Sequence, residues 1–242
     1  DEPTFLNLLD QWLPQLGPQQ RTHILDAAAV AAYHAIMEFP VVSVLLCDDA
    51  PQFKLITRQL SLCWIHDGRH YKKLDPFINH HRKLLDGFLD TYWDYYRQLL
   101  KYREAPSDNQ RIRLDNLFDE IFSTATGYDA IDQRIAKTKA KKHCLLLVLD
   151  HPELPLHNND AELSARGRVR KRVVSFGTRV QDGTKAWDTF MSLSATTRKL
   201  GINFLDYLYD RISGVCRIPN LADLITQRAA VLNLGASWGQ GP

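Results

Sequence analysis

The chain has 242 residues, 45% of them hydrophobic, ample for a buried core in one large or two small domains, so it reads as globular. Thirty basic against 28 acidic residues leave a net charge of +2, so attraction to a polyanion has to come from local clustering. No apolar run reaches the roughly 18 to 20 residues of a membrane span, and the N-terminus lacks a signal-peptide layout.

Cys47, Cys63, Cys144 and Cys216 lie far apart, mostly inside apolar runs, which points to reduced, buried thiols of a cytoplasmic protein and against a disulfide framework. The chain opens on DEPTFLNLLDQWL without an initiator methionine, in what reads as an ordered region, and is expected to be a piece of a longer protein. Pro3 and Thr4 start a short helix carrying Phe5, Leu6, Leu8, Leu9, Trp12 and Leu13, stopped at Pro14. Residues 19–37, rich in alanine, read as a second helix. At 41–47 the period changes: VVSVLLC is a continuous β-branched and leucine run, as expected of a strand buried on both faces, and it ends at Asp48 and Asp49. LSLCWI at 60–65 reads as a second strand, and the pair suggests part of an α/β sheet.

Everything downstream reads as helical. Residues 79–103 space Leu84, Leu85, Phe88, Leu89, Tyr92, Trp93, Tyr96, Leu99 and Leu100 by threes and fours, a wide apolar stripe best explained by core packing. Ser107 caps a helix to about Thr126, with Gly127 as its stop, and another helix spans roughly 129–149. After the loop HPELPLHNN come a helix carrying Glu162, one over 184–200 closed by Gly201, and one capped by Asn203. The last residues, LGASWGQGP, read as frayed.

Three features could carry chemistry. Asp48 lies at the carboxyl end of a strand, where α/β sheets bind ligands, although both strand-end acids could simply cap a turn. Glu162 could complete a capping box at a helix begun by Asn158 or Asn159. It also precedes Arg166, Arg168, Arg170, Lys171 and Arg172, and an acid followed by five cations suits a metal-dependent site on a phosphodiester polyanion. Cys63, His66 and His70 make a C-x2-H-x3-H string, but a structural zinc site wants a fourth ligand that no nearby cysteine pair offers. A histidine hydrogen-bonded near the acids fits His66 better, and His157 calls for the same caution. Hydrolase, nucleotide-binding and metalloprotease motifs are absent from the sequence.

CDDAPQF, SLCWIHDGRHYKKL, then LPLHNNDAELSARGRVRKRVVSFGT and TTRKLGINFLDYLYDRI together resemble the insertion sequence 66 family of DDE transposases, over residues 40 to 213. The most specific element is N-N-x-A-E at 158–162, the next C-W-x-H at 63–66. The resemblance implies an α/β fold with a partial ribonuclease H-like core lacking its early strands, a large helical insertion and a predominantly helical chain overall. It divides the chain into a helical segment at 1–38, a strand-rich part of the core at 39–77, the insertion at 78–150, a C-terminal part of the core carrying Glu162 at 151–214, and a tail at 215–242.

The resemblance also implies Asp48 and Glu162 as catalytic, metal-binding acids, 114 residues apart, with Asp49 and His66 as accessories. Two magnesium or manganese ions are the expected cofactors. DNA, at transposon ends and target, is the expected partner, contacted through Arg166, Arg168, Arg170, Lys171 and Arg172 by a homo-oligomer. The first acid of the family's triad is expected upstream of Asp1, which would leave the fragment inactive alone. A non-catalytic DNA-binding or interaction protein derived from a transposase, and a ribonuclease H-like nuclease, are the alternatives.

Overall fold

The computed structural model describes residues 2–37 and 41–232. In chain order its elements are α1 (Glu2–Trp12), α2 (Pro18–His34), β1 (Val44–Cys47), β2 (Gln59–Leu62), α3 (Trp64–Lys72), α4 (Asn79–Glu104), α5 (Asp108–Ile121), α6 (Asp129–Lys139), α7 (Lys142–Leu145), α8 (Asn159–Ser175), α9 (Gln181–Lys199), α10 (Phe204–Ile212) and α11 (Leu221–Leu232). The chain divides into two compact units, residues 1–43 with 219–242 and residues 44–218.

In the first unit, Pro18 opens α2, where the missing proline N–H would have had no intrahelical partner anyway. Gln20 reaches back to accept the Gly17 N–H at 3.0 Å. The stretch read as a tail contains α11, which Asn220 starts by accepting the Asp223 N–H at 2.8 Å. LGASWGQGP lies outside the described residues.

In the second unit β1 and β2 pair in parallel, with Val44 opposite Gln59 and Cys47 opposite Leu62. The first expected strand is shorter than its apolar run, and Val44, Leu45 and Leu46 are only half-buried, so β1 is not covered on both faces. The second stops at Leu62, because Cys63 is the N-cap of α3 and Trp64 turns into the core. Ser107 caps α5 as expected, its hydroxyl accepting the Gln110 N–H at 3.4 Å, but α5 ends at Ile121. The expected helix over 129–149 breaks at Ala140 and Lys141 into α6, α7 and a final 3-10 turn.

The ribonuclease H-like sheet core does not form. Among the described residues the one sheet has two strands, and 68% of those residues are helical. The hydrophobic centre lies where the insertion was expected. Trp64 is fully buried among Tyr92, Tyr95, Phe118 and Phe122, and its indole N–H donates to the Leu145 carbonyl at 2.9 Å. The physical reason is payload: each large aromatic buries about 150–250 Å², and α4 presents Phe88, Tyr92 and Tyr95 at helical spacing. The helices therefore gather around that stripe, with the short strands beside it. No helix among the described residues is long and apolar enough to cross a membrane.

Candidate phosphodiester site

β1 ends at Cys47, whose carbonyl accepts the Cys63 N–H at 2.9 Å, so the strand-end acids and the start of α3 are tied together. Asp48 is exposed and accepts the Ala50 N–H at 3.3 Å, which is the turn-capping role considered for it. Asp49 adopts a left-handed backbone, φ 71°, a conformation aspartate tolerates better than most residues, and its carboxylate pairs with Lys141. A narrow cleft is lined by Asp48, Asp49, Cys63, His66, Asp67, His70 and Lys141. Positions 63, 66, 67 and 70 share one face of a helix, so α3 presents its whole C-x2-H-x3-H string to this cleft.

Glu162 reaches the same neighbourhood from the other end of the chain. The Trp64 N–H donates to the Leu156 carbonyl at 3.0 Å, which pins the loop before α8 to the start of α3. Glu162 Oε1 then lies 3.5 Å from His66 Nε2 and 4.0 Å from Arg69 Nη1, while Oε2 lies 3.5 Å from Arg166 Nη2. The capping-box role for Glu162 is not realised. Asn158 is the N-cap and makes no side-chain cap bond, and Glu162 sits one position beyond N3 with its side chain turned to α3.

Behind the cleft is a buried polar group that the sequence did not announce. Asp67 pairs with Arg134, accepts the Thr138 hydroxyl at 2.8 Å and meets the Tyr92 hydroxyl at 3.3 Å, and Thr138 is 2.7 Å from the Tyr71 hydroxyl. Burial pushes both tyrosine hydroxyls well above their ordinary range. Burial lowers the pKa of His70, and Arg134 lowers it further. Burial raises the Cys47 thiol despite the N–H of Asp49 that its sulfur accepts, which disfavours the thiolate. Cys63 is buried as expected, whereas Cys144 is half-buried and Cys216 exposed.

The five expected DNA-contacting cations are all exposed on α8, a helix with no buried side chain. Three are engaged within the chain: Arg166 with Glu162, Arg168 with Asp188 at 2.6 Å, and Lys171 with the Met191 sulfur at 3.3 Å. Arg170 and Arg172 make no ion pair among the described residues.

Among the described residues no three His, Cys, Asp or Glu side chains are grouped to hold a metal ion. The donors at hand are nonetheless the carboxylate oxygens that magnesium takes, and Glu162 Oε1 is buried without a hydrogen-bond partner. Asp48 lines the cleft and Glu162 does not, and what joins them is His66, which borders the cleft and lies 3.5 Å from Glu162. Sequence reasoning missed Arg69, Asp67, Arg134 and Lys141. Arg69 could have been found from its i, i+3 spacing to His66, but nothing local marks the long-range partners.

The chain is 36% identical over 189 residues to the uncharacterized protein y4jO of Sinorhizobium fredii (strain NBRC 101917 / NGR234), an alignment covering 77% of this chain and 58% of that protein. No protein-family model and no solved structure matches the chain.

Proposed function

We propose that this chain is part of the catalytic region of a DDE-type DNA transposase similar to the insertion sequence 66 family, a cytoplasmic enzyme of phosphoryl transfer on DNA that works as a homo-oligomer. The observation that carries the reading is the meeting at His66: the cleft bearing Asp48 and Asp49 includes it, and Glu162, 114 residues from Asp48, lies 3.5 Å from it. Asp48 and Glu162 would hold magnesium or manganese, which would lower the pKa of an attacking water or 3′-hydroxyl and stabilise the leaving oxygen. The chain's own part is to bind and orient. Arg166, Arg170 and Arg172 face solvent and would hold backbone phosphates without reading sequence. His66 and Arg69 face the Glu162 carboxylate from α3, a helix anchored by buried Trp64.

In the protein as the cell makes it, Glu162→Ala abolishes magnesium-dependent strand cleavage while the circular dichroism stays that of the wild type. Undiminished cleavage would sink the assignment. A second reading, a non-catalytic DNA-binding protein, draws on the same carboxylate, because three basic side chains around Glu162 also suit a purely structural acid. DNA carrying transposon ends separates the two: joined products mark a transposase, cleaved but unjoined products a nuclease, and binding without cleavage the non-catalytic protein.

A further inference from the structure

Glu162 is one carboxylate faced by more positive charge than it neutralises. Arg69 of α3 and Arg166 of α8 approach it to 4.0 and 3.5 Å, whereas a strong guanidinium–carboxylate bond closes to about 2.7–2.9 Å. Both guanidiniums therefore keep most of their five N–H donors. Their side chains are 46% and 65% exposed, against 23% for the acid between them.

The histidine does not satisfy the acid either. Arg69 Nη1 lies 3.0 Å from His66 Nε2, and since arginine can only donate, that nitrogen is the acceptor of any hydrogen bond between them. At 3.5 Å from His66 Nε2, Glu162 Oε1 stays buried without a hydrogen-bond partner. Two guanidiniums from two helices thus flank one loosely held carboxylate, with donors to spare.

The surroundings extend the charge. Arg170 follows Glu162 and Arg166 at i+4 spacing on the same face of α8. Arg69 also stands on firmer ground than the α8 cations, since Trp64 and the Asp67–Arg134 pair fix α3 in the core, whereas α8 buries no side chain.

We propose that Arg69 and Arg166 together clamp one backbone phosphate of bound DNA beside Glu162, which makes Arg69 a DNA-contacting residue outside the 166–172 run. The inference rests on the DNA-binding part of the function proposed above. Planar guanidinium forks match a phosphate two bonds at a time, and a phosphate replaces the poorly bonded carboxylate as their acceptor.

The test is the salt dependence of binding to a short duplex of random sequence by the 242-residue chain and its variants. Arg69→Ala and Arg166→Ala each weaken binding, and the double variant lowers the magnitude of the slope of log K against log salt by about 0.9, the one phosphate that the pair shares on a duplex. Arg97→Ala, on an arginine already paired with Asp94 on α4, leaves the slope unchanged. Glu162→Gln tightens binding because the competing anion is gone. Wild-type affinity in Arg69→Ala, with Arg166→Ala weakened, overturns the clamp while DNA binding stands. Absence of salt-dependent DNA binding by the wild type overturns both. Should Arg69→Ala fail to fold, Arg69→Lys decides: the clamp requires weaker binding with the slope retained, and wild-type affinity there overturns it.

Discussion

Asp67 borders the cleft with His66 and His70, yet its bonds run inward to Arg134, Thr138 and Tyr92. Its side chain is 6% exposed and that of Arg134 11%, so each charge depends on the other. Removing one member of such a pair costs about 3–5 kcal/mol, because the charge left behind stays buried and uncompensated. Asp67→Ala is therefore expected to lower the urea-unfolding stability by that amount, and Asp67→Ala with Arg134→Met to recover part of it. A loss under about 1 kcal/mol in the single variant would show the pair to be dispensable. Asp132 behaves differently. Burial raises its pKa, but the Thr126 N–H at 2.8 Å, the Thr126 hydroxyl at 2.7 Å and the Gly127 N–H at 3.3 Å outweigh that and hold it below the ordinary value. A depressed carboxylate contributes stability that is fully present above the unfolded pKa of about 3.9 and is lost as pH falls through the lower folded value. The stability gap between the wild type and Asp132→Asn should hold steady from pH 7 to about 4 and shrink below that. A gap independent of pH would mean that the bonds do not favour the charged form.

At the level of elements, α3 and α4 meet at a point where only glycine fits. A Cβ on Gly68 would stand 2.8 Å from Trp93 ring carbons and 3.1 Å from a Tyr92 ring carbon. Alanine raises helix propensity by about 1 kcal/mol over glycine, but overpacking a rigid aromatic contact costs about 1–3 kcal/mol. Gly68→Ala should thus be destabilising on balance, and because α3 carries His66 and Arg69 it should also weaken DNA binding. Thermal melts showing the variant equal to or above the wild type would mean that Trp93 swings aside without cost. The helices were the legible part of the sequence: the aromatic stripe of α4 and the Ser107 and Asn203 caps lie in the elements expected, whereas Gly127, expected to stop α5, stands beyond its end at Ile121. The strands were less so, because a short apolar run such as LSLCWI has no period to separate strand from helix. Only its tertiary contacts turn Trp64 inward.

At the scale of the molecule, the site was legible in pieces. Asp48, His66 and Glu162 stood out from strand ends, spacing and motif. Lys141 at Asp49 and Arg134 at Asp67 were not, because their partners lie far away in sequence and no local rule links them. The fold was misjudged for a related reason: the segment read as an insertion into a sheet carries most of the aromatic payload and is itself the core. That placement has a consequence for folding. Among the described residues, every member of the main buried cluster falls between Cys47 and Leu156, inside the 44–218 unit, and none belongs to the other unit. A fragment of residues 44–218 is therefore expected to fold without the rest, with a single cooperative urea transition and the blue-shifted fluorescence of a fully buried Trp64. Since the denaturant slope follows the surface exposed on unfolding, the fragment should keep most of the slope of the whole chain. A gradual, non-cooperative transition with solvent-exposed tryptophan emission would mean that the terminal segments are needed to complete the core.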